Sequence, residues 1–185
     1  MTQDRGGWTT KKSEQKYKNH WIEVVEDAVI NDKGKELIYG VVKIVKGSCV
    51  LPLDDAGYVY LARQFRYGLG DFSTEGPGGG FDEGDSPLVT AKRELKEELG
   101  ISPKEWIDLG HVNPLTGVIK HTEYLFLARG FEAPKQIPQS KEETIERVRI
   151  PLHEAAQMVM DSKITHAPSA VLILKAQKYL AAEVV

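Results

Sequence analysis

Three glutamates lie within five residues of one another, downstream of a run of glycines. The segment "GGGFDEGDSPLVTAKRELKEELGI" runs from Gly78 to Ile101, with Glu94 and Glu98 four residues apart and Glu97 between them. Like charges at this spacing share one side of a helix and destabilise it by about 0.2–0.5 kcal/mol. A divalent cation would remove the repulsion, because carboxylate and carbonyl oxygens are the ligands that Mg²⁺ and Mn²⁺ prefer.

A solvated acidic helix face is the commoner meaning of such a pattern, with Arg93 offsetting Glu97 four residues later. Two features favour a metal site instead. At about 100° per residue the glutamates lie beside the apolar stripe of the helix, so Glu98 is partly shielded from water. The preceding glycines leave backbone carbonyls free to point inward. A site open to both water and phosphate suits attack at phosphorus.

Local signals place these glutamates on one helix. Ser86 is a good N-cap, Pro87 suits the first helical position, and Gly100 is a good C-terminal stop. An apolar stripe at helical spacing consists of Leu88, Ala91, Leu95 and Leu99. The sequence therefore predicts a glycine-rich loop followed by a helix that presents its acids next to that loop.

The rest of the chain predicts strands before this helix, and strands and then two helices after it. Residues 1 to about 19 are expected to be weakly ordered, whereas Trp21–Ile30 begins a series of β-rich stretches. Several strands in a row favour an antiparallel start. A surface loop is expected from about Glu132 to Lys141.

This order predicts an α+β fold in which a mixed sheet lies between helices, an α/β/α sandwich with N-terminal antiparallel strands. We expect an N-terminal strand region at residues 1–50 and a second domain, which contains the acidic helix, at residues 51–185. The net charge of −3 argues against a nucleic-acid binder. The single cysteine, Cys49, favours a cytoplasmic setting, and no apolar run predicts a membrane span.

The acidic segment resembles the signature of the Nudix hydrolases, in which a glycine and an acid precede Arg-Glu-apolar-x-Glu-Glu-x-Gly-apolar. Gly79 takes the first glycine, and Asp85 stands where the family usually has glutamate. The other matching positions are Arg93, Glu94, Leu95, Glu97, Glu98, Gly100 and Ile101. The resemblance implies the Nudix fold. The departure at Asp85 bears only on a supporting role for that residue, because the signature from Arg93 to Glu98 is complete.

In that family the loop–helix–loop binds Mg²⁺, and water cleaves a diphosphate linkage. The resemblance therefore implies Mg²⁺ or Mn²⁺ as the cofactor. It assigns Glu94, Glu97 and Glu98 as metal ligands and the Gly78 carbonyl as a backbone ligand. Arg93 would hold the acidic cluster in register by charge-assisted hydrogen bonds, and a catalytic role for Arg93 stays open beside that structural one.

The preceding residues are similar to the ADP-ribose and nucleoside-diphosphate-sugar pyrophosphatase branch, which shows Gln-x-Arg-Tyr and then Glu-Leu-Pro-Ala-Gly. Arg66 and Glu75 fall at matching positions. Arg66 would contact a substrate phosphate, or is a surface strand residue. Glu75 would support a metal or bind the terminal sugar, or only stabilises the loop. Thr116 stands where ADP-ribose enzymes carry a marker proline, so another nucleotide sugar stays open.

The branch also suggests residues outside the signature. A glutamate on a late mobile loop often activates the attacking water; Glu143 best occupies that place and Glu142 comes next, although a solvated charge run is the commoner meaning of "KEE". The N-terminal strands of this branch help to build a dimer and the nucleotide pocket. Trp21 would therefore stack on the base, unless it is a packing residue.

We predict a cytoplasmic, homodimeric, Mg²⁺-dependent pyrophosphohydrolase without nucleic-acid or membrane partners. It would cleave a nucleoside diphosphate sugar, ADP-ribose or another such as GDP-mannose, to a nucleoside monophosphate and a sugar phosphate. One alternative is a housecleaning hydrolase for nucleoside triphosphates or dinucleoside polyphosphates. The other is a nucleotide-binding Nudix module without catalysis.

Overall fold

The computed structural model describes residues 3–132 and 144–183. The strands are β1 (Gln3–Arg5), β2 (Trp8–Lys18), β3 (Ile22–Ile30), β4 (Glu36–Ile44), β5 (Gly47–Pro52), β6 (Tyr58–Arg66), β7 (Asp71–Glu75), β8 (Gly78–Gly80), β9 (Glu105–Val112), β10 (Ile119–Lys120), β11 (Glu123–Arg129) and β12 (Glu146–Pro151). The helices are α1 (Pro87–Leu99), α2 (Leu152–Met160) and α3 (Ala167–Glu183). Within this part of the chain, no helix is long and apolar enough to cross a membrane.

The chain divides into two compact units. The first contains Met1–Val45 and Asn113–Thr122, and the second contains Lys46–Val112 and Glu123–Val185. The first unit is a five-stranded sheet in the order β1-β2-β3-β4-β10, antiparallel except where the short β10 pairs parallel with β4. The unit therefore combines the N-terminal strands with a segment from the middle of the sequence.

The prediction of weak order in the first 19 residues is wrong. Strand β2 pairs with β3 from Thr9–Ile30 to Lys18–Glu23. The side chains of its last eight residues are exposed, which explains why the stretch reads as polar. Because sheet pairing is made by the backbone, a polar sequence can still form a strand when a neighbour supplies the hydrogen bonds. Lys16 adds an ion pair across the strands, 3.1 Å from Glu26.

The second unit is a sandwich. One sheet has the order β8-β5-β11-β9 and is mixed, because β5 and β11 are parallel and the other pairs are antiparallel. The other sheet has the order β12-β6-β7 and is antiparallel. Alternate residues of the central strands face opposite sides: Val50, Tyr60 and Phe126 pack with α1, whereas Leu51, Leu61 and Leu125 pack with α2 and α3. The α/β/α prediction is confirmed.

Helix α1 has the predicted boundaries. The Ser86 side chain accepts a hydrogen bond from the Val89 N–H, and Pro87 is the first helical residue. Gly100 ends the helix with φ of 68°, a left-handed conformation that glycine adopts without strain. The buried residues of α1 are Thr90, Ala91, Leu95 and Leu99, so the apolar stripe faces the core.

The glycine run is more regular than a loop. Gly78, Gly79 and Gly80 form β8, which pairs with β5 from Cys49 to Gly47. A Cβ at Gly78 would collide with the Ser48 carbonyl oxygen, so the close approach of the two backbones requires glycine there. The sequence showed the glycines but not the partner strand that they approach.

We predict that Gly76→Ala lowers the free energy of unfolding by about 1–3 kcal/mol, the usual cost of overpacking a buried site. A Cβ at Gly76 would lie 2.6 Å from the Val50 carbonyl oxygen and 2.9 Å from Cys49 Sγ. The matched control is Gly68→Ala, since a Cβ there meets nothing within 4 Å. Urea unfolding of the two variants measures the difference. Equal stability of both would contradict the close packing around Gly76.

Candidate active site

Two of the three glutamates lie against the backbone of β8. The Gly78 N–H donates a hydrogen bond of 3.3 Å to Glu98 Oε1. A Cβ at Gly79 would collide with the Glu94 carboxylate, so that carboxylate occupies the space a side chain would fill. Glu97 is directed away from this contact, with 60% of its side chain exposed. The glycine run and the acidic helix thus form one cluster of oxygen atoms.

Glu98 has an unpaired oxygen in this cluster. Its Oε2 is buried and has no hydrogen-bond partner among residues 3–132 and 144–183. Burial raises the pKa of Glu98 to about 8; the hydrogen bond from Gly78 opposes this rise, and the negative charge of Glu94 adds to it. A buried carboxylate in this position needs either a proton or a cation, because an unpaired charge away from water is costly.

Arg93 joins α1 to the segment that precedes it. Its Nη1 lies 2.6 Å from Glu94 Oε1 and 3.3 Å from Glu97 Oε2. Its Nη2 donates a hydrogen bond of 2.9 Å to the Gly80 carbonyl. Nε lies 3.3 Å from Asp82 Oδ2, without hydrogen-bond geometry. The guanidinium therefore holds two of the glutamates and the end of β8 in fixed relation.

Asp85, the departure from the Nudix signature, contacts the first turn of α1. Its Oδ2 accepts a hydrogen bond of 3.1 Å from the hydroxyl of Thr90, which is fully buried. The same oxygen lies 3.9 Å from Arg93 Nε. Although aspartate is shorter than the usual glutamate, Asp85 still contacts Thr90 and Arg93 of α1.

Glu75 and Arg66 form a two-point ion pair at the end of β7. Arg66 Nε and Nη2 donate hydrogen bonds of 3.2 and 2.7 Å to the two oxygens of Glu75. Glu75 is only 4% exposed, whereas 38% of the Arg66 side chain is exposed. Burial acts to raise the pKa of Glu75, but the hydrogen bond from Arg66 and the charge of His166 produce a net lowering. Glu75 therefore stays charged and orients Arg66.

A second group of polar residues beside Glu75 was not predicted as functional. Ser169 Oγ accepts a hydrogen bond of 2.8 Å from the Gly76 N–H and lies 2.8 Å from His166 Nδ1. His166 Nδ1 is also 3.6 Å from Glu75 Oε2. Burial lowers the pKa of His166, and the charge of Glu75 opposes this. Sequence spacing gives no signal for this group, because its members come from distant elements.

The structure brings together most of the predicted site residues. Glu98 contacts Gly78, Glu94 lies against the adjacent Gly79 and pairs with Arg93, and the charges of Arg66 and Glu75 both act on the pKa of Glu98. Trp21 belongs to the other unit. The predicted base Glu143 and its alternative Glu142 lie outside the described residues.

The donors fit a divalent cation. Among residues 3–132 and 144–183, no three His, Cys, Asp or Glu side chains are grouped closely enough to hold a metal ion as they stand. Arg93 engages Glu94, and Gly78 engages one oxygen of Glu98. The unpartnered Oε2 of Glu98 is nevertheless the kind of atom that a cation satisfies, and an all-oxygen set suits Mg²⁺ or Mn²⁺.

We predict that Glu98→Gln stabilises the metal-free protein at high pH. The pKa of Glu98 is about 8 against an ordinary value of 4.5, so this acid costs stability as the pH rises from 4.5 to 8. Glutamine removes the charge, and the free energy of unfolding at pH 9 should rise by on the order of 1–2 kcal/mol, with no difference near pH 4. Urea unfolding in EDTA at several pH values measures this.

The control for that experiment is Glu97→Gln, because the Glu97 side chain is 60% exposed. Its stability should stay within about 0.5 kcal/mol of the wild type at every pH. If Glu98→Gln follows the wild-type pH profile, Glu98 is not a buried acid.

Comparison with known proteins identifies the family. The Nudix domain model matches residues 44–170, and the model of the nucleoside diphosphate sugar hydrolase N-terminal domain matches residues 8–42. An ADP-ribose pyrophosphatase of Bacillus subtilis (strain 168) is 26% identical over 165 residues, covering 89% of this chain and 89% of that protein. A methanol dehydrogenase activator of Bacillus methanolicus is 23% identical over 167 residues, with 89% of each covered.

The fold has a close counterpart among solved structures. The crystal structure of an ADP compounds hydrolase superposes with a TM-score of 0.84 at 18% identity, covering 98% of both chains. At that identity the likeness establishes the fold. The Nudix match spans more than half of the sequence and includes the whole of α1 with its glutamates, and the chain therefore belongs to the Nudix family.

Proposed function

We propose that this protein is a metal-dependent pyrophosphohydrolase that cleaves a nucleoside diphosphate sugar to a nucleoside monophosphate and a sugar phosphate. The observation that carries the proposal is the buried, unpartnered oxygen of Glu98 next to Glu94 and the β8 backbone. The match to a nucleoside diphosphate sugar hydrolase N-terminal domain supports the substrate class. ADP-ribose is the first candidate substrate, since similar proteins are called ADP-ribose pyrophosphatases.

Glu94, Glu97, Glu98 and the Gly78 carbonyl are the ligands in this proposal, with Mg²⁺ or Mn²⁺ as the cofactor. Such an ion supplies charge neutralisation at the diphosphate and a more acidic bound water. The chain's own residues position this chemistry. Arg93 contacts Glu94 at 2.6 Å and Glu97 at 3.3 Å, and it is itself held by the Gly80 carbonyl of β8.

Arg66 is the phosphate contact in this proposal. Its guanidinium is held at two points by Glu75, and the side chain keeps 38% of its surface exposed. A charged donor fixed in this way loses little further freedom when it binds a phosphate oxygen. Glu75 is a substrate-binding residue in this proposal, and its hydrogen bonds to Arg66 support that role by orienting the guanidinium.

The general base is Glu143, with Glu142 as the alternative. Support for this assignment comes from the Nudix resemblance, which places a glutamate on a loop before a late strand. Strand β12 begins at Glu146, three residues after Glu143 in the sequence. Glu143 would accept or orient the proton of the attacking water.

Trp21 is the contact to the nucleobase in this proposal. Its side chain is 68% exposed and meets the His20 ring edge-on at 5.6 Å. Asn19 Oδ1 accepts hydrogen bonds from the N–H groups of Trp21 and Ile22, which fixes the turn that carries the indole. A cavity of about 250 Å³ adjoins it, lined by Lys18, Asn19, His20, Trp21, Ile22, Glu23, Lys43, Ile44 and Val45. A fixed, exposed aromatic face suits stacking on a base.

The proposal also includes the roles of the two regions, the oligomeric state and the cellular location. Residues 1–50 form a dimerisation region and residues 51–185 the catalytic domain of a homodimer. A cytoplasmic location agrees with the single cysteine, Cys49, which is free and buried.

A panel of substrates tests the proposed function. With Mg²⁺ present, we expect a nucleoside monophosphate and a sugar phosphate from ADP-ribose, ADP-glucose, GDP-mannose or UDP-glucose, and little product from NADH, diadenosine polyphosphates or nucleoside triphosphates. Glu98→Gln should lower kcat by about 100-fold or more, because it removes a charged ligand. Chromatography of the products and initial rates are the measurements.

The control variant for the panel is Glu154→Gln, an exposed acid in the first turn of α2 that should leave kcat unchanged. Turnover confined to triphosphates or dinucleoside polyphosphates would favour a housecleaning hydrolase. Tight nucleotide binding without any turnover would favour a binding module and overturn the proposed activity.

We predict that Trp21→Ala raises KM for the best nucleotide sugar about tenfold, the scale of one base–aromatic stacking contact, while kcat changes less than about twofold. The conservative variant Trp21→Phe keeps an aromatic face and should retain most of the affinity. Initial rates over a range of substrate concentrations give both constants. An unchanged KM in Trp21→Ala would show that the indole does not contact the substrate.

A further inference from the structure

We propose that Ser169 and His166, at the start of α3, are positioning residues for the Gly76–Gly78 segment. This rests on the proposed function, which places the backbone ligand at Gly78 and the phosphate contact at Arg66. Ser169 fixes the backbone of Gly76, and His166 links Ser169 to Glu75. The first turn of α3 thereby sets the relative position of the metal ligands and the phosphate-binding arginine.

Ser169 supplies a hydrogen bond that the sheets do not. Strand β7 ends at Glu75 and β8 begins at Gly78, so Gly76 and Pro77 form a two-residue break between strands. Proline has no N–H, and the N–H of Gly76 is therefore the one donor in the break. It donates to Ser169 Oγ over 2.8 Å, in a site where Ser169 is 1% exposed.

The opposite side of the break is also fixed. Cys49 Sγ donates to the Gly76 carbonyl over 3.6 Å, and the Val50 N–H donates to the Pro77 carbonyl over 2.8 Å. Burial raises the pKa of the Cys49 thiol, so it keeps the proton that it donates. Ser169 and β5 thus hold Gly76 and Pro77 from opposite sides. Removal of the Ser169 oxygen would leave only the contacts with β5.

The Ser169 hydroxyl is itself oriented. Its oxygen accepts the Gly76 N–H, and the hydroxyl has two further hydrogen-bond partners, His166 Nδ1 at 2.8 Å and Cys49 Sγ at 3.6 Å. The same His166 nitrogen lies 3.6 Å from Glu75 Oε2. One histidine therefore contacts the serine that holds the backbone and approaches the acid that holds Arg66.

The proposed phosphate contact and the proposed metal site both depend on the position of Gly76. Glu75 directly precedes it and binds Arg66 at two points. Gly78 follows two residues later, and its N–H donates to Glu98 Oε1 over 3.3 Å. Displacement of Gly76 would move the backbone ligand away from Glu98 and tilt the Glu75–Arg66 pair. Supporting residues of this kind change metal affinity or activity by about 10–100-fold when they are removed.

The experiment compares Ser169→Ala with Ser169→Thr, which keeps the hydroxyl oxygen. We expect the Mn²⁺ dissociation constant, measured without substrate by the paramagnetic resonance signal of free Mn²⁺, to rise about tenfold in Ser169→Ala. Ser169→Thr should stay within about twofold of the wild type. The kcat with the best nucleotide sugar should fall in parallel with the loss of Mn²⁺ affinity.

The matched control for a purely structural effect is Ile173→Val, on the same helix. Ile173 is fully buried in the core that α2 and α3 form with the sheets, so its truncation weakens α3 while the Ser169 hydroxyl stays in place. Ile173→Val should lower thermal stability and leave the Mn²⁺ dissociation constant unchanged. An equal loss of Mn²⁺ affinity in Ile173→Val, or wild-type affinity in Ser169→Ala, would overturn the positioning role.

If Ser169→Ala fails to fold, His166→Phe tests the positioning role instead. The His166 side chain is 34% exposed, and phenylalanine keeps a ring while removing Nδ1. We expect the Mn²⁺ dissociation constant to rise by about threefold or more, because Ser169 loses the group that orients it. An unchanged constant would overturn the proposal.

The Mn²⁺ measurement also separates this inference from the proposed function. A wild-type protein that binds Mn²⁺ but hydrolyses no nucleotide would overturn the proposed function, and the Mn²⁺ constants of the variants would still decide the role of Ser169. A wild-type protein that hydrolyses a nucleotide sugar while Ser169→Ala keeps its Mn²⁺ affinity would overturn only the positioning role.

Discussion

The burial of two carboxylates against a glycine backbone is the constraint on which the rest of the second unit depends. Glu94 fills the space beside Gly79, and Glu98 accepts the Gly78 N–H while its second oxygen has no partner in the described part of the chain. A side chain at Gly79 would collide with the Glu94 carboxylate, and one at Gly78 would collide with the Ser48 carbonyl oxygen. The arrangement is unfavourable for two like charges, so surrounding structure has to hold it in place. Arg93 partly offsets the charge of Glu94 from the solvent side of the same helix.

The sandwich supplies that support from both faces. The apolar stripe of α1 packs on one face of the sheets, where Leu95 and Leu99 are fully buried. Helix α3 packs on the other face through Leu172 and Ile173. The two helices reach the same short backbone segment from opposite sides, α1 through Glu98 and α3 through Ser169. The core therefore fixes the site as well as the fold.

The sequence predicted the elements whose signals are local. Helix α1 was predictable because its N-cap, its first proline, its apolar stripe and its terminal glycine all lie within one segment. Strand β2 was not predictable in this way. Its side chains are mostly polar and exposed, and the strand is defined by its pairing with β3. The contact of Ser169 with Gly76 was also beyond sequence reasoning, since the residues are 93 positions apart and neither belongs to a spaced motif.

The buried carboxyl of Glu98 affects both the stability of the protein and its proposed function. A buried carboxyl with a pKa of about 8 is largely protonated at neutral pH, and a cation that binds there must displace that proton. Metal binding then offsets the cost of ionising Glu98 in a buried site, and the resulting stabilisation of the folded state grows with the logarithm of metal affinity. An apolar residue at position 98 would pack without this cost but would remove the oxygen. The protein thus retains a locally destabilising group at the point where its proposed chemistry requires a ligand, and the support from α1, α3 and β5 makes that retention possible.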